Sequence, residues 1–136
     1  MREITVSAVM DQIDAVTAFV NEILSRTGCP QETRCGIDVV IDELLGNIAR
    51  YAYGPGSGTV TVRVETEDAP PAVILMFMDR GVPFDPLSRE CPDTLHLPAP
   101  ERPIGGLGLF MVREIMDDIS YRYQDGMNIL TVRKEI

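Results

Sequence analysis

Glu43 and Asn47 stand four residues apart in Ile41-Asp42-Glu43-Leu44-Leu45-Gly46-Asn47-Ile48-Ala49-Arg50-Tyr51. On an α-helix that spacing stacks a carboxylate and an amide on one face, with Gly36 and Arg50 close to it. Held so, the carboxylate can accept a proton while the amide oxygen binds a divalent cation. The same pair can also be part of an ordinary solvated helix face. Two further polar features interrupt apolar stretches. Asp79-Arg80-Gly81 ends the apolar run Val73–Met78, and glycines occupy positions 105, 106 and 108. A carboxylate at the rim of a core can accept hydrogen bonds from an amino group such as the exocyclic amine of adenine. Gly81 beside it would let a flat ring approach the backbone. The alternative for Asp79 is a turn-opening Asx residue. Gly105-Gly106-Leu107-Gly108 at a helix start offers unhindered amides and the positive end of the helix dipole, which suits phosphate oxygens. It can also be a flexible loop exit, and it is neither a Walker A sequence nor a dinucleotide fingerprint following a strand. Arg102, just upstream, could offer its charge to a phosphate or remain solvated.

These residues need elements to position them. Residues 3–9 alternate like a strand. Asp11 is a plausible N-cap for a helix to about Ser25, with Ile13, Val16, Phe19, Val20, Ile23 and Leu24 on its buried side. Pro30 suits the first turn of a second helix, whose apolar stripe runs through Ile37, Ile41, Leu44, Ile48 and Tyr51 and which stops at Gly54-Pro55-Gly56. Val60, Val62 and Val64 alternate with polar residues, as a half-buried strand does. A turn at Asp68 to Pro71 leads into Val73–Met78, which reads as a central strand. From 82 to 104 the pattern stops, and the stretch holds Pro83, Pro86, Pro92, Pro98, Pro100 and Pro103. Patternless loops of this length are commonly lids, binding loops or disordered segments. A third helix follows the glycines, and strands at about 119–124 and 128–134 flank the hairpin pair Asp125-Gly126. The order β-α-α-β-β-loop-α-β-β predicts an α+β two-layer sandwich: one mixed sheet covered by three helices, its other face open or used for dimerisation.

At 136 residues the expectation is one domain over 1–136 with a single substantial core. The net charge of −9 argues against sequence-independent binding to nucleic acid or anionic membranes. A polyanionic ligand would have to be held locally, by amides, a metal or a few arginines. Cys29, Cys35 and Cys91 show no C-x-x-C spacing, so neither a disulfide framework nor a zinc site is indicated. His96, the one histidine, carries no assigned role. The N-terminus lacks the apolar block of a signal peptide, and no apolar run approaches a membrane span. A cytoplasmic location is expected.

Taken together, Glu43-x-x-x-Asn47, Asp79-x-Gly81-x-Pro83-Phe84-Asp85-Pro86 and Gly105-Gly106-Leu107-Gly108-Leu109 resemble the N, G1 and G2 boxes of the GHKL ATPase superfamily. The flanks Arg50-Tyr51-Ala52-Tyr53-Gly54 and Glu101-Arg102-Pro103-Ile104 make the chain similar to the anti-sigma factor serine kinases of bacterial partner-switching systems. The resemblance implies a Bergerat-type ATP-binding fold with a proline-rich ATP lid at about 82–104. It implies that Asn47 holds Mg²⁺ against the phosphates and that Glu43 is the general base. Asp79 would recognise the adenine amine with Gly81 beside the ring. Arg102, Gly105, Gly106, Leu107 and Gly108 would line the phosphates. It further implies a homodimer, an anti-anti-sigma (STAS) protein as phosphoacceptor and a sigma factor as the other partner. The alternative function is a non-catalytic ATP-binding module that controls a partner by occupancy.

Overall fold

The computed structural model describes residues 1–54, 56–88 and 106–136. Five strands and three helices follow one another as β1 (Arg2–Ser7), α1 (Ile13–Ser25), α2 (Gln31–Tyr51), β2 (Thr59–Asp68), β3 (Pro71–Asp79), α3 (Gly106–Ile115), β4 (Asp118–Gln124) and β5 (Met127–Glu135). The strands form one sheet in the order β1-β2-β3-β5-β4. The α+β, two-layer expectation holds. The sheet is antiparallel at every pairing rather than mixed. The reason is where the last hairpin lands. β4 runs parallel to β3, but β5 inserts between them and pairs with both.

The core follows from the two periods in the sequence. Ile13, Val16, Val20 and Leu24 recur every three or four residues along α1 and are buried, as are Ile37, Val40, Ile41, Leu44 and Leu45 on α2. They meet the strand residues of alternate parity. Val62 lies opposite Phe77, and Phe77 opposite Leu130; all three belong to one apolar cluster with the helices. Val64, Leu75 and Val132 make the next row. Phe77 is 1% exposed, and truncating an aromatic so enclosed costs about 3–5 kcal/mol. The opposite sheet face presents Thr61, Arg63, Ile74, Met76, Thr131 and Arg133, all half-buried, with Arg63 paired to Glu3 at 3.2 Å and Arg133 to Glu67 at 3.0 Å.

Local chemistry sets the ends. Asp125 and Gly126 both take positive φ, 56° and 76°, which is the two-residue turn that matches strand twist. Asp11 does not cap α1. It sits in a 3₁₀ turn, Met10–Gln12, closed by the Gln12 N–H to the Val9 carbonyl at 3.1 Å; Gln12 takes the N-cap position without a side-chain bond. Pro30 occupies the N-cap of α2, where its missing N–H is harmless. The segment after β3 contains a second 3₁₀ turn, Pro86–Ser88. Among the described residues no helix is long and apolar enough to cross a membrane.

Candidate functional site

Along one face of α2, three side chains form a hydrogen-bonded row. The Asn47 Nδ2 donates to Glu43 Oε1 at 3.2 Å, and Arg50 Nη2 donates to Asn47 Oδ1 at 3.0 Å. The row fixes the amide: its oxygen points toward the end of α2 and its nitrogen toward the carboxylate. The first turn of α3 lies directly over Glu43, because a Cβ built on Gly108 would overlap the carboxylate carbon and both its oxygens. Further along, a Cβ on Gly36 would come within 3.1 Å of Ile115 Cγ2. The two contacts define an antiparallel α2–α3 packing in which glycines alternate between the helices. The positive end of the α3 dipole is thereby placed beside Glu43.

The second part of the site hangs from the end of β3. Asp79 pairs with Val60 on one side and Asn128 on the other, on the helix-covered face, and is 6% exposed. A buried carboxylate must be satisfied by donors. Its Oδ1 accepts the Gly81 N–H at 2.9 Å and Asn128 Nδ2 at 3.0 Å. The turn it opens is seated on the end of α2. The Val82 N–H donates to the Ala52 carbonyl at 2.8 Å, and any Cβ on Gly81 would collide with that same carbonyl. Gly81 therefore has a packing reason to be glycine, and the space its missing side chain leaves is taken by Ala52. Tyr53 braces the turn from outside: its hydroxyl donates to the Thr59 carbonyl at 2.6 Å and accepts the Arg80 N–H at 2.9 Å. Its ring fills the space where Gly58 lacks a side chain.

Between these parts lies a pocket with about 510 Å³ of empty space, part of it open to solvent. Leu44, Ile48, Phe77, Val82, Phe84 and Leu130 supply apolar walls, and Asn47, Asp79, Tyr121 and Asn128 supply the polar groups. Burial pushes the Tyr121 hydroxyl above its ordinary value, and the nearby Asp85 and Asp79 charges act in the same direction. The hydroxyl thus stays a donor at neutral pH, bonded to Asn128 Oδ1. Such a pocket, with apolar walls and the Asp79 carboxylate among its polar groups, suits a flat aromatic ring edged by an amino group.

Five of the residues singled out in the sequence are brought together: Glu43, Asn47 and Gly108 at one end, Asp79 and Gly81 at the other. Gly106 and Leu107 lie in the first turn of α3. Arg102 and Gly105 lie outside the described residues, as do Cys91 and His96. Asn128, Tyr121 and Tyr53 were not anticipated. Among the described residues no group of three His, Cys, Asp or Glu side chains converges as a metal site. Asn47 Oδ1 accepts one hydrogen bond, from Arg50, and keeps a second lone pair that could serve Mg²⁺, an ion that retains several waters and takes few protein ligands beside phosphate oxygens.

Comparison with known proteins identifies the family. Residues 6–134 match the model of the histidine kinase-like ATPase domain family. The chain belongs to that family. Within this ATPase-domain family it is similar to serine-protein kinase RsbW of Bacillus cereus, 27% identical over 135 residues, a match covering 96% of this chain and 82% of that protein. The protein of the same name from Bacillus mycoides is 25% identical with the same coverage. A histidine kinase domain from the Erythrobacter litoralis EL346 blue-light activated histidine kinase shares the fold with a TM-score of 0.57 at 17% identity. It is matched over 93% of this chain, which spans 60% of that one.

Proposed function

We propose that the chain is an ATP- and Mg²⁺-dependent protein serine/threonine kinase and anti-sigma factor, acting on an anti-anti-sigma (STAS) partner and sequestering a sigma factor. The names of its Bacillus relatives support the kinase reading. The observation that carries it is the placement of Glu43: hydrogen-bonded to Asn47, which lines one pocket together with buried Asp79.

In this reading Asp79 accepts the adenine amine, Gly81 lies beside the ring, and Asn47 Oδ1, which also accepts the Arg50 hydrogen bond, would hold the metal. Bound Mg²⁺ would neutralise phosphate charge. Arg102 with Gly105, Gly106, Leu107 and Gly108 line the phosphates beneath a lid spanning about 82–104, in a single domain over 1–136. Glu43 takes the proton of a partner's serine hydroxyl as its oxygen bonds to the γ-phosphorus and the bond to the β-phosphate oxygen breaks, releasing ADP. Two copies pair through the sheet face around Ile74 and Met76, which no helix among the described residues covers; sedimentation at the monomer mass across working concentrations would contradict that pairing. The test of the nucleotide site is a thermal shift with ATP and Mg²⁺ that Asn47→Ala removes. A wild-type protein that ATP and Mg²⁺ fail to stabilise would refute it.

A second reading, a non-catalytic ATP-sensing module, is favoured by one feature: the Glu43 carboxylate is tied to Asn47 and covered by Gly108, leaving little room for an incoming hydroxyl. Nucleotide-dependent partner binding that survives Glu43→Ala but is lost in Asp79→Asn would mark this case.

A further inference from the structure

A second groove, open to solvent, runs between α1 and α2. Ile13, Asp14, Thr17, Asp38, Val39 and Asp42 line it, and none of them lines the pocket that holds Asp79. Half of that lining is carboxylate, and no lysine or arginine belongs to it among the described residues. Elsewhere on the surface acids meet cations: Glu22 with Arg26, Glu3 with Arg63, Glu67 with Arg133 and Asp117 with Lys134. Asp14, Asp38 and Asp42 form no ion pair among the described residues. Arg34 reaches Asp38 only through an amide: its Nε donates to Asn21 Oδ1 at 3.2 Å, and Asn21 Nδ2 donates to Asp38 Oδ1 at 2.7 Å.

The unpaired charges repel one another. Asp38 and Asp42 stand one turn apart on α2, about 6 Å along its axis, which is inside a Debye length at physiological salt. Apolar surface accompanies them. Val39 is 41% exposed and Met10, in the turn that leads into α1, is 54% exposed.

These features select among occupants. A single metal ion does not fit, because no three acidic side chains converge on one point among the described residues. The acidic lining rules out nucleic acid. A chain that carries several cations at intervals, with apolar side chains between them, does fit. On a helix, basic residues three or four apart repeat the Asp38–Asp42 spacing. Asp14 stands across the groove on α1 for a further cation, and Val39 offers the apolar contact.

We propose that the α1–α2 groove is a docking surface for a basic amphipathic helix of a protein partner, laid between the two helices. The groove shares no residue with the nucleotide pocket, so the proposal stands or falls apart from the nucleotide reading.

The probe is a synthetic helical peptide with arginines at three- and four-residue spacing around leucines, read by fluorescence anisotropy at about 0.15 M salt. A peptide of the same composition in scrambled order is its control. Wild type is expected to bind the patterned peptide about tenfold or more tighter than the scrambled one. Asp14→Asn/Asp42→Asn is expected to weaken that binding about tenfold or more, and Val39→Ser about threefold or more. Glu65→Gln/Asp68→Asn removes the same charge from β2 and should leave binding within about twofold of wild type. In urea the groove variant is expected to unfold at the wild-type midpoint or above it, since losing a repulsion is its only effect on the free chain. A lower midpoint would make these carboxylates part of the fold and overturn the proposal. Equal binding of both peptides by wild type, or an equal loss in the β2 variant, would reduce the effect to net charge and also overturn it. So would a wild type that binds neither peptide, whether or not it takes up spermine. A change in sedimenting mass in the groove variant alone would assign the groove to a second copy of the chain instead.

Discussion

Gly108 and Glu43 are in such close contact that a single added methyl group on the glycine would overlap the carboxylate. Two elements far apart in the chain, the first turn of α3 and the middle of α2, thus meet at the one acidic side chain of the Glu43–Asn47–Arg50 row. The absent side chain at 108 is what lets Glu43 keep its bond to Asn47 while the helix dipole of α3 points at it.

Gly108→Ala separates stability from activity. The group it displaces is the far end of a flexible side chain, and alanine is the better helix former by about 1 kcal/mol. Folding stability is expected to stay within about 1 kcal/mol of wild type. Phosphoryl transfer to a partner serine is expected to fall by about 10²-fold or more, because the displaced base no longer reaches the acceptor. Adding Gly108→Ala to Glu43→Ala should change nothing further. Urea unfolding beside a transfer assay checks both halves, and a large additive loss in the double variant would count against this role.

Gly81→Ala should behave in the opposite way. There the obstacle is the Ala52 carbonyl, part of the end of α2 that also accepts the Val82 N–H at 2.8 Å. Backbone cannot swing aside, so the variant is expected to lose about 2 kcal/mol of stability and to bind ATP more weakly because the Asp79 turn has shifted. Denaturant unfolding with and without ATP reads this directly. An undiminished midpoint would mean the turn is looser than its contacts imply.

This contrast shows what the sequence could and could not reveal. Asp79 was legible because a carboxylate follows an unbroken apolar run, and Glu43 with Asn47 because helix spacing is local. Asn128 was not: between Met127 and Ile129 it looks like any residue leaving a hairpin, and its role exists only through cross-strand pairing with Asp79. The antiparallel sheet was illegible for the same reason. No local pattern says that β5, rather than β4, lies beside β3. Nothing local to Tyr53 tells that its hydroxyl bridges Thr59 and Arg80. Periodicity gave the elements and the glycines hinted at close approaches, but which surface each glycine approached needed the packing.

Asp117 joins α3 to the final strand and gives the fold a predictable acid response. The Glu135 N–H donates to its Oδ2 at 2.6 Å, and Lys134 Nζ lies 3.5 Å from Oδ1. The backbone hydrogen bond chiefly, and the Lys134 charge in addition, hold its carboxyl below the ordinary value of 3.8 despite some desolvation. A folded value below the unfolded one means the unfolded chain takes up the proton first. The contribution is therefore complete above the unfolded value and lost as pH falls through the folded one. The side chain is 40% exposed, so solvent screening limits the contribution to about 1 kcal/mol or less. Asp117→Asn should be less stable than wild type at about pH 7, and the gap should narrow on going to about pH 3. A gap of the same size at both pH values, measured by urea unfolding, would contradict the assignment.

The most direct measurement is transfer of label from γ-labelled ATP to a cognate STAS protein, with wild type and Glu43→Ala side by side in the presence of Mg²⁺. The kinase account predicts label on a serine or threonine of the partner with wild type and a loss of about 10²-fold or more with Glu43→Ala. No transfer by wild type, or undiminished transfer by Glu43→Ala, would contradict it.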